Sequence, residues 1–159
     1  PGTALTQDTP GVGDSAQDGD EFGTSLAWIA PGLGDIRTRL AVGVPKENTS
    51  GGVDAGIVQV FPTNNLGSET TWSQASAGVP GGVDAGDKFG ASVNTVAGAT
   101  ERVLLVGVPD DVDNASGMVN VIPFGGGTPR AWIPGVDDVP NVGASRFGQS
   151  LGGVNGSSE

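Results

Sequence analysis

The sequence predicts an all-β protein of tandem four-stranded antiparallel units, and three observations carry that prediction. The 159 residues include 29 glycines and 11 prolines, a quarter of the chain, and these recur with a period, as turn punctuation does. The apolar residues favour valine, a β-branched strand former, and runs of Leu, Glu, Lys and Ala that would make amphipathic helices are absent. Four landmarks also recur in one order, the signature of a repeat.

The first landmark is Glu21-Phe22-Gly23-Thr24-Ser25-Leu26, matched by Lys88-Phe89-Gly90-Ala91-Ser92-Val93 and Arg146-Phe147-Gly148-Gln149-Ser150-Leu151. The second is Leu40-Ala41-Val42-Gly43-Val44-Pro45, matched by Leu104-Leu105-Val106-Gly107-Val108-Pro109. The third is Gly56-Ile57-Val58-Gln59-Val60-Phe61-Pro62, matched by Gly117-Met118-Val119-Asn120-Val121-Ile122-Pro123; its central polar residue gives the alternation of a strand in a packed sheet. The fourth is Thr71-Trp72-Ser73-Gln74, echoed at Ala131-Trp132-Ile133-Pro134 and, through its Gln and the Gly-Val that follows, at Leu5-Thr6-Gln7. Each landmark reads as a short strand, bounded by Gly, Pro, Asp and Asn clusters. The units run over 1–19 (the end of a preceding unit, with a strand near 3–7), 20–77, 78–134 and 135–159 (the start of a further one). Four-stranded units in tandem suggest blades of a β-propeller, with a β-sandwich as the competitor that needs no sequence repeat. Two complete blades do not close a ring, so the expected state is a partial propeller: a fragment, or one part of an assembly that supplies other blades.

Composition excludes several function classes. The net charge is −11, from 18 acidic and 7 basic residues, and the bases stand singly, so neither a nucleic-acid stripe nor attraction to an anionic membrane is expected. No apolar run approaches membrane-spanning length. With no cysteine and no histidine, disulfides, thiol catalysis, Cys or His metal ligation and His-based triads are all excluded within the chain.

The Phe-Gly turn and the Gly43-Val44-Pro45 and Gly107-Val108-Pro109 elements resemble the FG-GAP repeat, the family of the integrin α-chain propeller and of many secreted bacterial proteins. Asp84-Ala85-Gly86-Asp87-Lys88-Phe89-Gly90 and Val53-Asp54-Ala55-Gly56-Ile57-Val58-Gln59-Val60 are closest in wording to actinobacterial-style copies, and the resemblance covers nearly the whole chain. It implies a propeller of about seven blades, an extracellular location, and a non-catalytic role in adhesion or recognition of a protein or another ligand. The alternatives are an accessory domain of a larger secreted hydrolase, or a structural blade set that completes a ring with copies or a companion chain. The family also implies calcium in an Asp-x-Asp-x-Asp-Gly loop between the first two strands. The matching stretches here, 30–38, 94–102 and 155–159, carry one acid each, Asp35, Glu101 and Glu159, and depart from that pattern.

Other candidate sites lie in turns. Asp110, Asp111 and Asp113, with Asn114, are a candidate calcium cluster, and Asp14, Asp18, Asp20 and Glu21 form a second acidic group; solvated turn residues bonding the local backbone explain both as well. Gly148-Gln149-Ser150-Leu151-Gly152 fits the nucleophile-elbow pattern but has no base, and its equivalents make Ser150 a repeat position. Gly11-Val12-Gly13-Asp14-Ser15-Ala16 fits a dinucleotide fingerprint but no helix pattern follows. The adjacent acids Asp110-Asp111 and Asp137-Asp138 would point apart on an extended chain, against an acid/base pair. Asn48, Asn114 and Asn155 head sequons in turns. Phe22, Phe89 and Phe147, like Trp72 and Trp132, occupy equivalent positions, as aromatics packed between units do. Loops at 30–38, 45–55, 109–116 and 125–129 are the expected recognition surface.

Overall fold

The computed structural model describes residues 4–31, 36–97, 102–136, 138–141 and 143–152. Over these residues the chain is all-β and contains no helix. Eight strands form two four-stranded antiparallel sheets, each in sequential order. Sheet 1 holds β1 (Ser25–Ile29), β2 (Arg39–Val44), β3 (Ile57–Pro62) and β4 (Thr70–Trp72). Sheet 2 holds β5 (Ser92–Ala97), β6 (Arg102–Val108), β7 (Met118–Phe124) and β8 (Arg130–Trp132). The registers repeat as the sequence does: Ser25 faces Gly43 and Gly43 faces Val58, while Ser92 faces Gly107 and Gly107 faces Val119.

Several landmarks differ from simple strands. The Phe-Gly landmark is a turn followed by the start of a strand, because Glu21 and Lys88 (φ 61° in both) and Gly23 and Gly90 (φ 88° and 91°) occupy the left-handed region, where a strand cannot continue. Each turn closes on its own sheet, Gly23 N donating to the Gly43 carbonyl and Gly90 N to the Gly107 carbonyl, both at 3.1 Å. The third copy makes no strand over 146–151; Phe147 forms one parallel bridge with Gly117. The strand expected near 3–7 is absent over 4–7, where the Thr9 N–H closes a turn on the Thr6 carbonyl, and Thr3 lies outside the described residues. The fourth landmark ends its strand at Trp72, since Ser73 and Gln74 open the next turn.

The two sheets stack face to face. Alternation along β1 turns Ala27 and Ile29 toward sheet 2, where they join Ala41, Val58 and Val60 against Val93, Leu104, Val106, Met118 and Ile122. Burial of this apolar surface is the main driving force for stacking. A second cluster, Val103, Leu105, Val119 and Val121, lies on the opposite face of sheet 2 and is covered in part by Phe147 and Leu151 of the third copy. The central polar residues Gln59 and Asn120 are fully buried, so both faces of β3 and β7 are covered rather than one.

What sets the separation of the sheets is a backbone contact. A Cβ at Gly43 would collide with the Gly90 carbonyl oxygen, and one at Gly107 with the Gly148 carbonyl oxygen. Ser25 Oγ donates to the Gly90 carbonyl at 2.8 Å and Ser92 Oγ to the Gly148 carbonyl at 2.6 Å. Beside them, Phe89 N donates to the Ala55 carbonyl (2.9 Å) and Phe147 N to the Ser116 carbonyl (2.7 Å). Each turn therefore plugs into a socket of strand glycine, serine hydroxyl and loop carbonyl on the sheet before it. Gly43→Ala is expected to cost about 1–3 kcal/mol through this collision, and Ser25→Ala about 1 kcal/mol through the lost hydrogen bond. Urea unfolding followed by circular dichroism reads both losses, and a Gly43→Ala protein as stable as the parent would show that the carbonyl does not press on this site.

Candidate functional site

The β2–β3 and β6–β7 connections gather at one end of the stack. The β2–β3 connection, 45–56, leaves the end at which β1 begins, and the β6–β7 connection, 109–117, leaves the corresponding end of sheet 2. The segment 80–87 fills the space between them: Gly51 lies against Val83, Gly52 against Ala85, and Gly82 N donates to Asp113 Oδ2 at 3.3 Å. This makes one continuous loop surface. It carries Glu21, Asp54, Asp84, Asp110 and Asp113, with Lys46, Lys88 and Arg146 among them, while Asp20, Glu47, Asp87 and Asp111 are buried beneath it. The far end starts β2, β6 and β8 with Arg39, Arg102 and Arg130, and the Arg39 guanidinium stands 5.7 Å from the centre of the Phe124 ring.

The three candidate metal ligands have separate partners. Asp110 accepts from Lys88 Nζ and, through both oxygens, from Arg146 Nε and Nη2, each at 2.7 Å. Asp111 is buried and accepts from Gln74 Nε2 (2.8 Å) and from Asn114 N and Nδ2 (2.7 and 2.9 Å). Asp113 accepts from Gly82 N. Among the described residues no three acidic side chains are arranged to hold a metal ion. In the other acidic group, Asp14 accepts from Ser15 N, Asp20 is buried and accepts from Gln17 N at 2.6 Å, and Glu21 pairs with Lys46 at 2.6 Å. Asp35, Glu101, Asp137 and residues 155–159 lie outside the described residues. Ser150 is exposed, in the turn after Phe147.

Two repeat-equivalent features of this end match none of the sequence motifs. The first is a buried amide–acid pair: Gln7 Nε2 donates to Glu47 Oε2 at 2.6 Å, as Gln74 donates to Asp111. The aligned glutamines and the residue two after each Val-Pro were the available signal. The second is an ion pair of reversed sense. Glu21 pairs with Lys46 in the first unit, and Lys88 with Asp110 in the second, so acid and base have exchanged positions. A salt bridge this exposed contributes little on its own; it ties the rim residue of each socket to the turn of its own unit.

Burial and charge act on these carboxyls in opposite directions. Burial pushes the Glu47 carboxyl above the usual glutamate range, with the Gln7 hydrogen bond pulling the other way and the Asp14 and Asp20 charges adding to the rise. Burial likewise raises Asp87, against hydrogen bonds from Asp84 N and Val112 N. Burial would raise Asp110 too, but the hydrogen bonds and charges of Lys88 and Arg146 together outweigh it and hold Asp110 below the usual aspartate range.

No family model matches the sequence, and the comparison with curated proteins finds no match.

The pH dependence follows from these directions. Glu47 and Asp87 favour the folded state when protonated, so their contribution is full below the ordinary carboxylate range and is lost as pH rises through their raised values. Asp110 contributes above the ordinary range, and that contribution is lost as pH falls through its lowered value. Glu47→Gln, with Gln7 turning its amide to match, is expected to raise the melting temperature at neutral pH and to leave it little changed at pH 4. Asp110→Asn is expected to lower it at neutral pH, with the difference closing in strong acid. Melting curves of both proteins across this range check the signs.

Proposed function

We propose that the chain is a non-catalytic extracellular recognition module built of propeller-type FG-GAP-like blades, which binds a protein partner through the loop surface at 45–56, 80–87 and 109–117. The observation that carries this reading is that these segments, far apart in sequence, are packed side by side at one end of a rigid stack. Binding loops held by a rigid scaffold are a common design for recognition, and propellers present such loops on one face of the ring. The carboxylates at least partly exposed there, Asp54, Asp84 and Asp113 beside the ion-paired Glu21 and Asp110, favour a partner with a basic surface, because complementary potentials steer encounter and set specificity. A catalytic role finds no support in the side chains: the chain has no histidine or cysteine, and its adjacent acids at Asp110 and Asp111 are taken up by Lys88, Arg146, Gln74 and Asn114. The FG-GAP-like assignment rests on the repeated landmarks, and the blade reading on the repeated sheet order and stacking.

The test is a binding screen of the labelled chain against arrayed extracellular proteins and glycans, repeated with Asp54→Lys/Asp113→Lys and with Arg39→Glu/Arg130→Glu. The expected result is a basic protein ligand whose affinity falls at least tenfold with the first pair and holds with the second. Binding indifferent to the loop pair, or turnover of ester, glycoside or phosphate substrates by the pure chain, would overturn the reading.

A further inference from the structure

The hexapeptide Gly-Gly-Val-Asp-Ala-Gly occurs twice, at 51–56 and at 81–86, and a further Val-Asp stands at 112–113. The repeat does not account for these. Val53 lies three residues before the landmark Gly56, Val112 lies five before its counterpart Gly117, and 81–86 belongs to a different connection. The fold nevertheless brings them together at one end of the stack. Gly86 N donates to the Val53 carbonyl at 2.9 Å and Lys88 N to the Asp54 carbonyl at 3.2 Å, so the two hexapeptides lie side by side. On the other flank, Val112 N donates to Asp87 Oδ1 at 3.1 Å and Gly82 N to Asp113 Oδ2 at 3.3 Å. Segment 80–87 is thus the middle one of three that each carry a Val-Asp pair.

The side chains make a mixed patch. Val53 is 65% exposed and Val112 58% exposed, and their backbones are tied to the adjacent residues Gly86 and Asp87 of the middle segment. Val83, in that segment, is half-buried against Gly51. Valine is stiff about its one side-chain torsion, so an exposed valine gives up little freedom when it is covered. Carboxylates stand beside these apolar groups. Oδ2 of Asp113 and Oδ2 of Asp84 lie 2.7 and 3.0 Å from the same point, the position of a Cβ built on Gly82, so the two oxygens converge. Asp113 is exposed, and Asp54 and Asp84 are half-buried.

Both chemistries narrow the occupant. Converging carboxylates attract a lysine or arginine side chain, and exposed valines are covered best by apolar side chains of similar size. A partner that meets both must present both from one face. In an extended segment, residues two apart share a face, so the fitting sequence has an apolar and a basic residue at every second position. A second copy of this chain does not fit through the same surface, because the same carboxylates would face one another, and like charges set opposite repel.

We propose that the Val-Asp pairs at 53–54, 83–84 and 112–113 dock an extended segment of a partner protein whose one face alternates valine- or isoleucine-sized residues with arginine or lysine. This rests on the loop surface proposed above and names the chemistry of its partner. The probe is a fluorescein-labelled peptide of three Val-Ser-Arg-Ser repeats, titrated with the full chain and followed by anisotropy. It is expected to bind at least tenfold more tightly than the Ser-Ser-Arg-Ser counterpart, which lacks the apolar groups. The same margin is expected over Val-Arg-Ser-Ser, which has the same composition but sets valine and arginine on opposite faces. Val53→Ser/Val112→Ser, both at exposed positions, is expected to weaken Val-Ser-Arg-Ser binding at least tenfold and to leave Ser-Ser-Arg-Ser binding as it was. Asp84→Asn/Asp113→Asn is expected to weaken Val-Ser-Arg-Ser binding at least tenfold. Equal or undetectable affinity for all three peptides overturns the proposal, as does a folded valine variant, by circular dichroism, that binds Val-Ser-Arg-Ser like the native chain. Dimerisation of the native chain that is lost with the valine pair makes a second copy the occupant and overturns it too. A protein ligand that is lost with Asp54→Lys/Asp113→Lys but indifferent to Val53→Ser/Val112→Ser leaves the loop reading standing and overturns this one. If the double valine variant does not fold, Val112→Ser alone is assayed, where a threefold loss is expected and its absence overturns the proposal.

Discussion

The arrangement depends on one close approach: the carbonyl of a turn glycine set directly on the Cα of a strand glycine in the preceding sheet. Gly90 on Gly43 and Gly148 on Gly107 bring backbone against backbone, and a methyl group on either strand glycine would occupy the oxygen's place. The serine opposite each strand glycine, Ser25 or Ser92, then satisfies that carbonyl, which would otherwise be buried between sheets without a partner. The apolar contact between the sheets supplies most of the stacking energy, but it is tolerant of shape. The glycine contact is not tolerant, and so it sets the spacing at which Ile29, Val93 and Met118 can interlock.

Around this contact the two units solve the same electrostatic problem with opposite signs. The rim position holds Lys46 in one and Asp110 in the other, and the turn position beside it holds Glu21 and then Lys88. Because both members of the pair changed together, each unit keeps its local ion pair, while what the rim offers to an incoming turn is reversed. The buried amide–acid pairs beneath, Gln7 with Glu47 and Gln74 with Asp111, keep one sense in both units. A carboxylate in that position is costly to bury and is held by hydrogen bonds from amides and backbone rather than by a counter-charge.

Much of this was legible in the sequence. Valine-rich landmarks between Gly and Pro clusters were enough for the all-β class and for two four-stranded antiparallel sheets, because strand signals repeated in order are worth more than any single propensity. The landmarks misled where a residue's role depended on the neighbouring unit. Glu21 and Lys88 look like ordinary strand-flanking charges, and nothing in one residue type announces a left-handed backbone. Gln59 and Asn120 give the alternation of a strand in a packed sheet, and it takes the neighbouring segments to show that both are fully buried. Asp110, Asp111 and Asp113 look like a ligand cluster, yet each turns to a different partner, since adjacent residues diverge along an irregular loop. The socket glycines were visible as conserved members of the repeat within this one chain, but their reason, a carbonyl from the next unit, is a tertiary fact.

The boundary between units in the chain is consequently not the boundary between units in space. Residues 86–91 belong by sequence to the second unit, yet they complete the first by covering Gly43, bonding Ser25 and tying down Ala55. An array stitched this way has a direction. Loosening a turn takes support from its predecessor and leaves its successor's strands paired, so damage runs toward the N-terminal side, and each sheet is only as firm as the one that follows it.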